Sequence, residues 1–249
     1  EQNGDKIKIT ALSKNNSDEA RTAIVTITAG NGDAQATATV TIRQQKEQTE
    51  VAAFQIGDFV KMDGGTELAE GGIVFWVEGN NAKILSLKRS ATAINWANEG
   101  FTDALGLTDQ EDGEANTQKL RESGIAANIP ILEYCKDGWY LPARNEMEAV
   151  FNAYNGGSSQ RIGLKPDAIK QEEKDARAAW DKILTDNGGD VMNVKADNTA
   201  GDSYFTSTEA DDASKVFYVR FGQWNPGLTG AKYAKSPARY VRCIRKISK

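Results

Sequence analysis

Hydrophobic and polar residues alternate near both ends of the chain, and hydrophobic residues recur at helical spacing in its middle. Within the first 45 residues, Ala36, Ala38, Val40 and Ile42 are separated by Thr37, Thr39 and Thr41, a period of two that makes a half-buried strand. Ala23, Val25 and Ile27 mark a strand before it, Ile7 and Ile9 an earlier one, and Asn31-Gly32 supplies hairpin turn chemistry. Three antiparallel strands are expected. Residues 44–50 are polar and lack a period, which makes them a linker, so the expected division is 1–45, a linker at 46–54, and 55–249. Alternation resumes over residues 54–61. The runs 71–77 and 83–88, joined through Asn80-Asn81, predict a second hairpin.

From residue 91 to 113 the pattern is irregular, and Trp96 and Phe101 are expected to anchor a long loop over the core. Residues 116–122 suit a short helix, and Pro130 opens another with Ile131, Tyr134 and Cys135 on one face. In the run Lys136-Asp-Gly-Trp-Tyr-Leu-Pro, Gly138 marks a turn, Trp139 to Leu141 form an apolar anchor, and Pro142 is placed at the first position of a helix. Met147, Val150, Phe151 and Tyr154 then share one helical stripe, which Gly156 terminates. The longest predicted helix covers 166–185, with Pro166 at its start, Asp167 in its first turn and Asn187-Gly188-Gly189 closing it. Its inward face is expected to be Ile169, Ala176, Ala179, Trp180 and Ile183, with the charge run 170–175 on the solvent side. Near the end, Phe217, Val219 and Phe221 alternate with Val216, Tyr218 and Arg220, and Val241 and Cys243 face the core on the last strand. Helices set among antiparallel strands give an α+β fold class.

Composition narrows the chemistry. An apolar content of 39% over 249 residues supports real cores, and a net charge of −5 provides no field suited to nucleic acid, so no nucleic-acid partner is expected. No run approaches the ~20 apolar residues of a membrane span. No signal sequence stands at Glu1, but a mature exported chain would have lost one, and membrane association is expected only through a lost lipid anchor. Histidine is absent, which removes Ser-His and Cys-His nucleophile pairs, His-ligated zinc and the commonest general base. Cys135 and Cys243 cannot form a CxxC pair or a four-thiolate site; one disulfide is expected, with two buried thiols in a reducing compartment as the alternative. Asp109, Glu111, Asp112 and Glu114 offer oxygen ligands, but their spacing departs from the EF-hand loop, so a solvated acidic loop and no metal or cofactor are expected.

Four motifs carry a family resemblance: Gly-Gly-Ile-Val-Phe-Trp-Val at 71–77, Gly-Trp-Tyr-Leu-Pro-Ala-Arg-Asn-Glu-Met at 138–147, Tyr-Phe-Thr-Ser-Thr-Glu at 204–209 and Tyr-Val-Arg-Cys-Ile-Arg at 240–245. Residues 56–249 resemble the DUF1566 (Lcl C-terminal-like) family and the related Fibrobacter major-paralogue domains, which implies a C-type-lectin-like domain. The runs 21–28 and 36–45 resemble the second half of a BACON or related Ig-like domain of Bacteroidetes surface proteins. The first half of that domain has no counterpart here, so either the chain begins inside the domain or these strands pack on the larger one. The resemblances together imply a C-type-lectin-like domain preceded by a small all-β Ig-like segment that serves as a spacer.

The expected ligand site is a loop near the end of the chain. Trp224 stands between Gln223 and Asn225, with Tyr233 nearby, and an apolar ring flanked by amides suits the C–H face and hydroxyl edge of a sugar. The alternative is that Trp224 folds back and packs. Glu209, Asp211 and Asp212 are placed at the same end of the sheet, either to accept hydrogen bonds from a ligand or to keep a turn soluble. The Trp-Asn-Pro string is similar to fragments of calcium-dependent lectin motifs, but no Glu-Pro-Asn or Gln-Pro-Asp partner accompanies it, so calcium-bridged sugar binding is not expected. The function expected is a non-catalytic, cell-surface or secreted adhesion protein with a glycan or protein ligand. Two alternatives stand beside it: a structural subunit of a surface fibre, and a glycan-active enzyme using paired carboxylates.

Overall fold

The computed structural model describes residues 2–3, 6–13, 15, 19–30, 32–44, 53–62, 71–157, 170–195, 201–222, 228–233 and 239–249. The chain divides into two compact units, Glu1–Ala52 and Ala53–Lys249.

In the first unit β1 (Gln2–Asn3) pairs with β2 (Lys6–Ile7), and β3 (Arg21–Ala29) pairs with β4 (Ala36–Gln44), all antiparallel. The expected third strand therefore does not join the hairpin. Asn15, almost fully buried, donates to the carbonyls of Glu19 at 2.8 Å and Gln44 at 3.1 Å, and the Gln44 amide donates to the Ser13 carbonyl at 2.8 Å. These bonds hold the chain before β3 as a loop against the hairpin's open end. The turn also differs from the tight Asn-Gly type. The last strand pair is Ala29 with Ala36, a 3₁₀ turn follows at Gly32–Ala34, and Asn31 lies outside the described residues. Gly30 takes φ +110°, and a Cβ there would lie 2.2 Å from the Ala34 carbonyl oxygen.

The second unit contains β5 (Phe59–Lys61), β6 (Gly71–Glu78), β7 (Asn81–Ser86), α1 (Gly113–Glu122), α2 (Arg144–Tyr154), α3 (Gln171–Asp186), β8 (Ser203–Glu209), β9 (Lys215–Arg220), β10 (Thr229–Ala231) and β11 (Ile244–Ser248). It is an α+β arrangement with two antiparallel sheets among the described residues, ordered β11-β7-β6-β5 and β10-β9-β8. Both faces of β6 and β7 are buried, because their alternating residues feed two cores. Ile73 and Leu85 join Met147, Phe151 and Trp180 on the helix side, while Val74 and Ile84 join Trp96, Trp139 and both cysteines on the other. A register shift between Val74 and Trp76 breaks this alternation, so that Phe75 and Trp76 both turn to the helix side.

Helix boundaries follow from side chains that bond backbone. The α1 helix starts at Gly113, earlier than the expected 116, because Asp112 Oδ1 caps it by accepting from Glu114 N at 3.1 Å and Ala115 N at 3.2 Å. The α2 helix starts at Arg144 rather than Pro142, because the Glu146 carboxylate accepts from Ala143 N at 2.9 Å and fixes Ala143 as the N-cap. Met147, Val150, Phe151 and Tyr154 are buried, and Gly156 beyond the helix end has φ +70°. Pro130–Tyr134 is a five-residue 3₁₀ helix. Pro166, Asp167 and Ile169 lie outside the described residues. The inward face of α3 is Glu173, Arg177, Trp180 and Leu184, while Ala179 is exposed. A helix face that looked solvated is drawn inward because Arg177 Nε donates to Asn155 Oδ1 at 2.6 Å and the guanidinium lies 5.9 Å from the Tyr154 ring centre.

The final segment closes the unit. Tyr140 and Ile244 exchange backbone hydrogen bonds of 2.9 and 3.0 Å, and Cys135 is bonded to Cys243 with their Cα atoms 5.5 Å apart. The carbonyls of Cys243, Val241 and Arg239 accept in turn from Ser86, Ser90 and Ile94, so the irregular stretch after β7 is laced to the end of the chain.

Candidate functional site

The irregular segment that follows β7 is held from beneath by buried polar groups. Trp96 is fully buried, and its Nε1 donates to the Thr206 carbonyl at 3.0 Å. The acceptor lies in an interruption of β8, whose pairing with β9 breaks between Phe205 and Glu209. Residues released from that ladder bond elsewhere. Ser207 N donates to the Pro142 carbonyl at 2.8 Å, and the Thr208 hydroxyl donates to the Asp109 carbonyl at 2.9 Å and accepts from Arg144 N at 3.0 Å. The Thr-Ser-Thr of the 204–209 motif is thus a junction between β8, the irregular segment and the start of α2.

Where β8 resumes pairing, Glu209 meets Lys232. The Lys232 side chain is 0% exposed and that of Glu209 only 5%, and the two form an ion pair. Lys232 Nζ also donates to the Asp103 carbonyl at 2.7 Å and lies over the rings of Trp96 and Phe101, 5.4 and 5.5 Å from their centres. The Glu209 carboxylate in turn accepts from the backbone N–H of Leu105 and Leu107 at 3.0 Å. Lys232 N donates to the Ser214 carbonyl and its own carbonyl accepts from Ala97 N, at 2.9 and 3.0 Å. One residue therefore ties together the backbone near 97, 103 and 214 and the side chain of Glu209.

Around that anchor the expected site residues part company. Glu209 is committed to the interior. Asp211 and Asp212 are exposed in the turn between β8 and β9, and Tyr233, half-buried, directly follows Lys232, so these three share one end of the sheet. Asp212 accepts from Ser214 Oγ at 2.6 Å and Ser214 N at 3.0 Å, and pairs with Lys215 Nζ at 2.9 Å. Those Ser214 bonds, followed by Lys215, draw its carboxyl down to about 2, so Asp212 is an ionised turn cap. Gln223, Trp224 and Asn225 lie outside the described residues. The chain reaches them from Gly222, beyond the end of β9 opposite to the Asp211–Asp212 turn.

The acidic run at 109–114 has a structural task as well. Asp109 Oδ1 accepts from the N–H groups of Glu111 and Asp112 at 2.8 Å each, and Asp112 caps α1. Partial burial pushes the Asp112 carboxyl up, but the Ala115 N–H, Lys246 and the Glu114 N–H together outweigh it and leave it below the usual carboxylate range. A depressed carboxyl stabilises the fold above its unfolded value, ordinarily about 3.9, and that contribution is lost as pH falls through the folded value. Asp112→Ala is expected to lower stability by about 1 kcal/mol at pH 7. The difference from the parent chain should shrink once the pH drops below about 4, as measured by urea unfolding at both pH values.

Behind this cap sits a second buried carboxylate. Glu146 accepts from Lys83 Nζ at 2.6 Å, Tyr140 OH at 3.2 Å, Gly113 N at 3.0 Å and Ala143 N at 2.9 Å. Gly113 has no room for a side chain there, since a Cβ would stand 2.2 Å from the Leu141 carbonyl oxygen. Burial, reinforced by Glu146, pushes the Tyr140 phenol far above its usual range, so it is a neutral hydrogen-bond donor.

Chemically, Glu146, Glu209 and Lys232 are occupied in positioning backbone. Among the described residues no group of three or more His, Cys, Asp or Glu could hold a metal ion. A groove of about 520 Å³ lies apart from these groups, between α2 and α3, and is apolar, with Phe75, Ala153, Ala176, Trp180 and Ile183 in its walls. The arrangement around Lys232 instead provides a fixed, irregular surface bearing Asp103, Asp211 and Tyr233. No protein-family profile, no curated protein and no solved structure matches the chain. The sequence pointed to Tyr233 and passed over Lys232, because a lysine between Ala231 and Tyr233, in a run that also contains Lys235, looks like any solvated lysine.

Proposed function

We propose that the C-terminal unit is a non-catalytic binding module of a cell-surface or secreted adhesion protein, C-type-lectin-like in fold, whose ligand is a glycan or a protein. The observation that carries this reading is the buried Glu209–Lys232 pair, which fixes residues 101–107 beside Tyr233 and the Asp211–Asp212 turn. A surface ordered before binding loses less entropy on engaging a ligand, and a tyrosine at the same sheet end as two exposed carboxylates supplies an apolar face and hydrogen-bond acceptors. The Cys135–Cys243 disulfide supports an oxidising compartment. The resemblances to DUF1566 and BACON-like domains agree with an outer-surface location.

The test is a screen against a glycan array and extracellular matrix proteins, using the parent chain, Tyr233→Ala, Asp211→Asn and Trp224→Ala. Binding by the parent that falls at least tenfold in Tyr233→Ala, at unchanged melting temperature, is the expected result. An unaltered affinity in all three variants would remove the loop surface from consideration, and an absence of any ligand would count against the binding reading as a whole.

A further inference from the structure

On three neighbouring strands, β6, β7 and β11, the residues Ile73, Leu85 and Ile244 form a row packed in the helix-side core. Two further rows follow on the same face. The register sets Trp76 against Lys83 and Lys83 against Lys246 in the first, and Glu78 against Asn81 and Asn81 against Ser248 in the second. The register shift after Val74 is what turns Trp76 to this side, where Lys83 reaches the buried Glu146. Between the rows, Ala82 pairs with Ile247, and both side chains belong to the other core, so this pair offers only backbone here. The six side chains and that backbone line a pocket of about 310 Å³, at the lower end of the ~300–1,000 Å³ of small-ligand sites.

We propose that this pocket binds a neutral saccharide. Its inner row is already ordered: Lys83 Nζ is 2.6 Å from Glu146 Oε1 and 5.3 Å from the Trp76 ring centre, and Lys246 Nζ pairs with Glu114 at 2.9 Å and Asp112 at 3.4 Å. The outer row is unoccupied. Glu78, Asn81 and Ser248 are exposed, and among the described residues their side chains have no hydrogen-bond partner. A carboxylate, an amide and a hydroxyl in one row accept and donate as sugar hydroxyls require, while the half-buried Trp76 gives the wall an apolar surface for C–H groups. Carboxylates outnumber ammonium groups here, since Glu146, Asp112 and Glu114 already answer the two lysines and Glu78 adds a further negative charge, which disfavours an anionic ligand. An apolar ligand would strip water from the outer row without replacing its hydrogen bonds. The pocket is built on a different sheet from Tyr233, so the proposal does not rest on the loop surface.

Titration of the isotope-labelled full chain with glucose, galactose, mannose and N-acetylglucosamine to about 50 mM, followed by amide and indole NMR shifts, tests it. At least one of these sugars is expected to give saturable shifts at the Trp76 indole and at the amides of Glu78, Asn81 and Lys246. Glu78→Ala and Asn81→Ala, both at exposed positions, should each weaken that binding about fivefold or more, and Tyr233→Ala should leave it in place. Galacturonate should shift the same signals less than galactose at equal concentration. The proposal is overturned if none of the four sugars shifts these signals, if either strand variant binds undiminished, if Tyr233→Ala abolishes the shifts, or if galacturonate binds more tightly than galactose.

Discussion

Replacing Cys135 and Cys243 together with Ala is expected to lower the unfolding free energy of the C-terminal unit by about 4–5 kcal/mol, in the chain-entropy treatment of a long closed loop. The magnitude follows from the sequence separation of 108, which places most of the second unit inside the covalent ring. In the folded protein the bridge is backed by non-covalent contacts: Tyr140 and Ile244 exchange two hydrogen bonds, and β11 pairs with β7 from Ile244 to Ser248. The double variant is therefore expected to fold to the same architecture with a lower midpoint in urea, and addition of a reductant should shift the parent chain to that midpoint. An effect below about 1 kcal/mol would mean that the unfolded chain is not appreciably confined by the bridge. Each single Ala variant frees a thiol in a core position, so the double variant is the cleaner comparison.

How far the sequence could be followed depended on which physical rule governed each residue. Periodicity sufficed where burial alone decides, as for the Met147, Val150, Phe151 and Tyr154 stripe and the two sheet faces of β9, and it also placed β3 and β4, although their side chains are at most half-buried. It failed where one polar group overrides the pattern. The start of α2 was misplaced because nothing at sequence level distinguishes Pro142 at the first helical position from Glu146 bonding back to Ala143. The inward face of α3 is legible in Trp180 and in the half-buried Ala176 and Ile183, but not in Glu173 and Arg177, whose charges normally face water. The work of the acidic run at 109–114 as successive backbone caps depends on a chain path that spacing alone does not give. Of the candidate site, Tyr233, Asp211 and Asp212 share one end of a sheet, and Glu209 lies inside it, bonded to Lys232 and to the backbone of Leu105 and Leu107. Lys232 was invisible for a plain reason: a buried lysine is rare enough that no sequence rule would select it from thirty basic residues.

Glu209→Gln is expected to cost about 3–5 kcal/mol, because it strands the Lys232 ammonium without a counter-charge in a fully enclosed site. Lys232→Met should cost less, about 2–3 kcal/mol, since the Glu209 carboxylate keeps the N–H donors of Leu105 and Leu107. The asymmetry is the informative part, for a pair that merely filled space would lose similar amounts from either side. In the double variant the unpaired charge is gone, so it should be more stable than Glu209→Gln alone, and the cycle gives a coupling energy that surface pairs of about 0–1 kcal/mol do not reach. Amide exchange locates the consequence: protection of Leu105 and Leu107 should fall in Glu209→Gln, while the strand pairs of β6 and β7 retain theirs. If exchange rises equally throughout the unit, the pair holds up the core as a whole and has no special hold on residues 101–107. If it rises only in that segment, a ligand bound at the Tyr233 surface should be lost from Glu209→Gln although neither member of the pair reaches the surface, because the ordering of the loop that was complete before binding must then be supplied by the ligand.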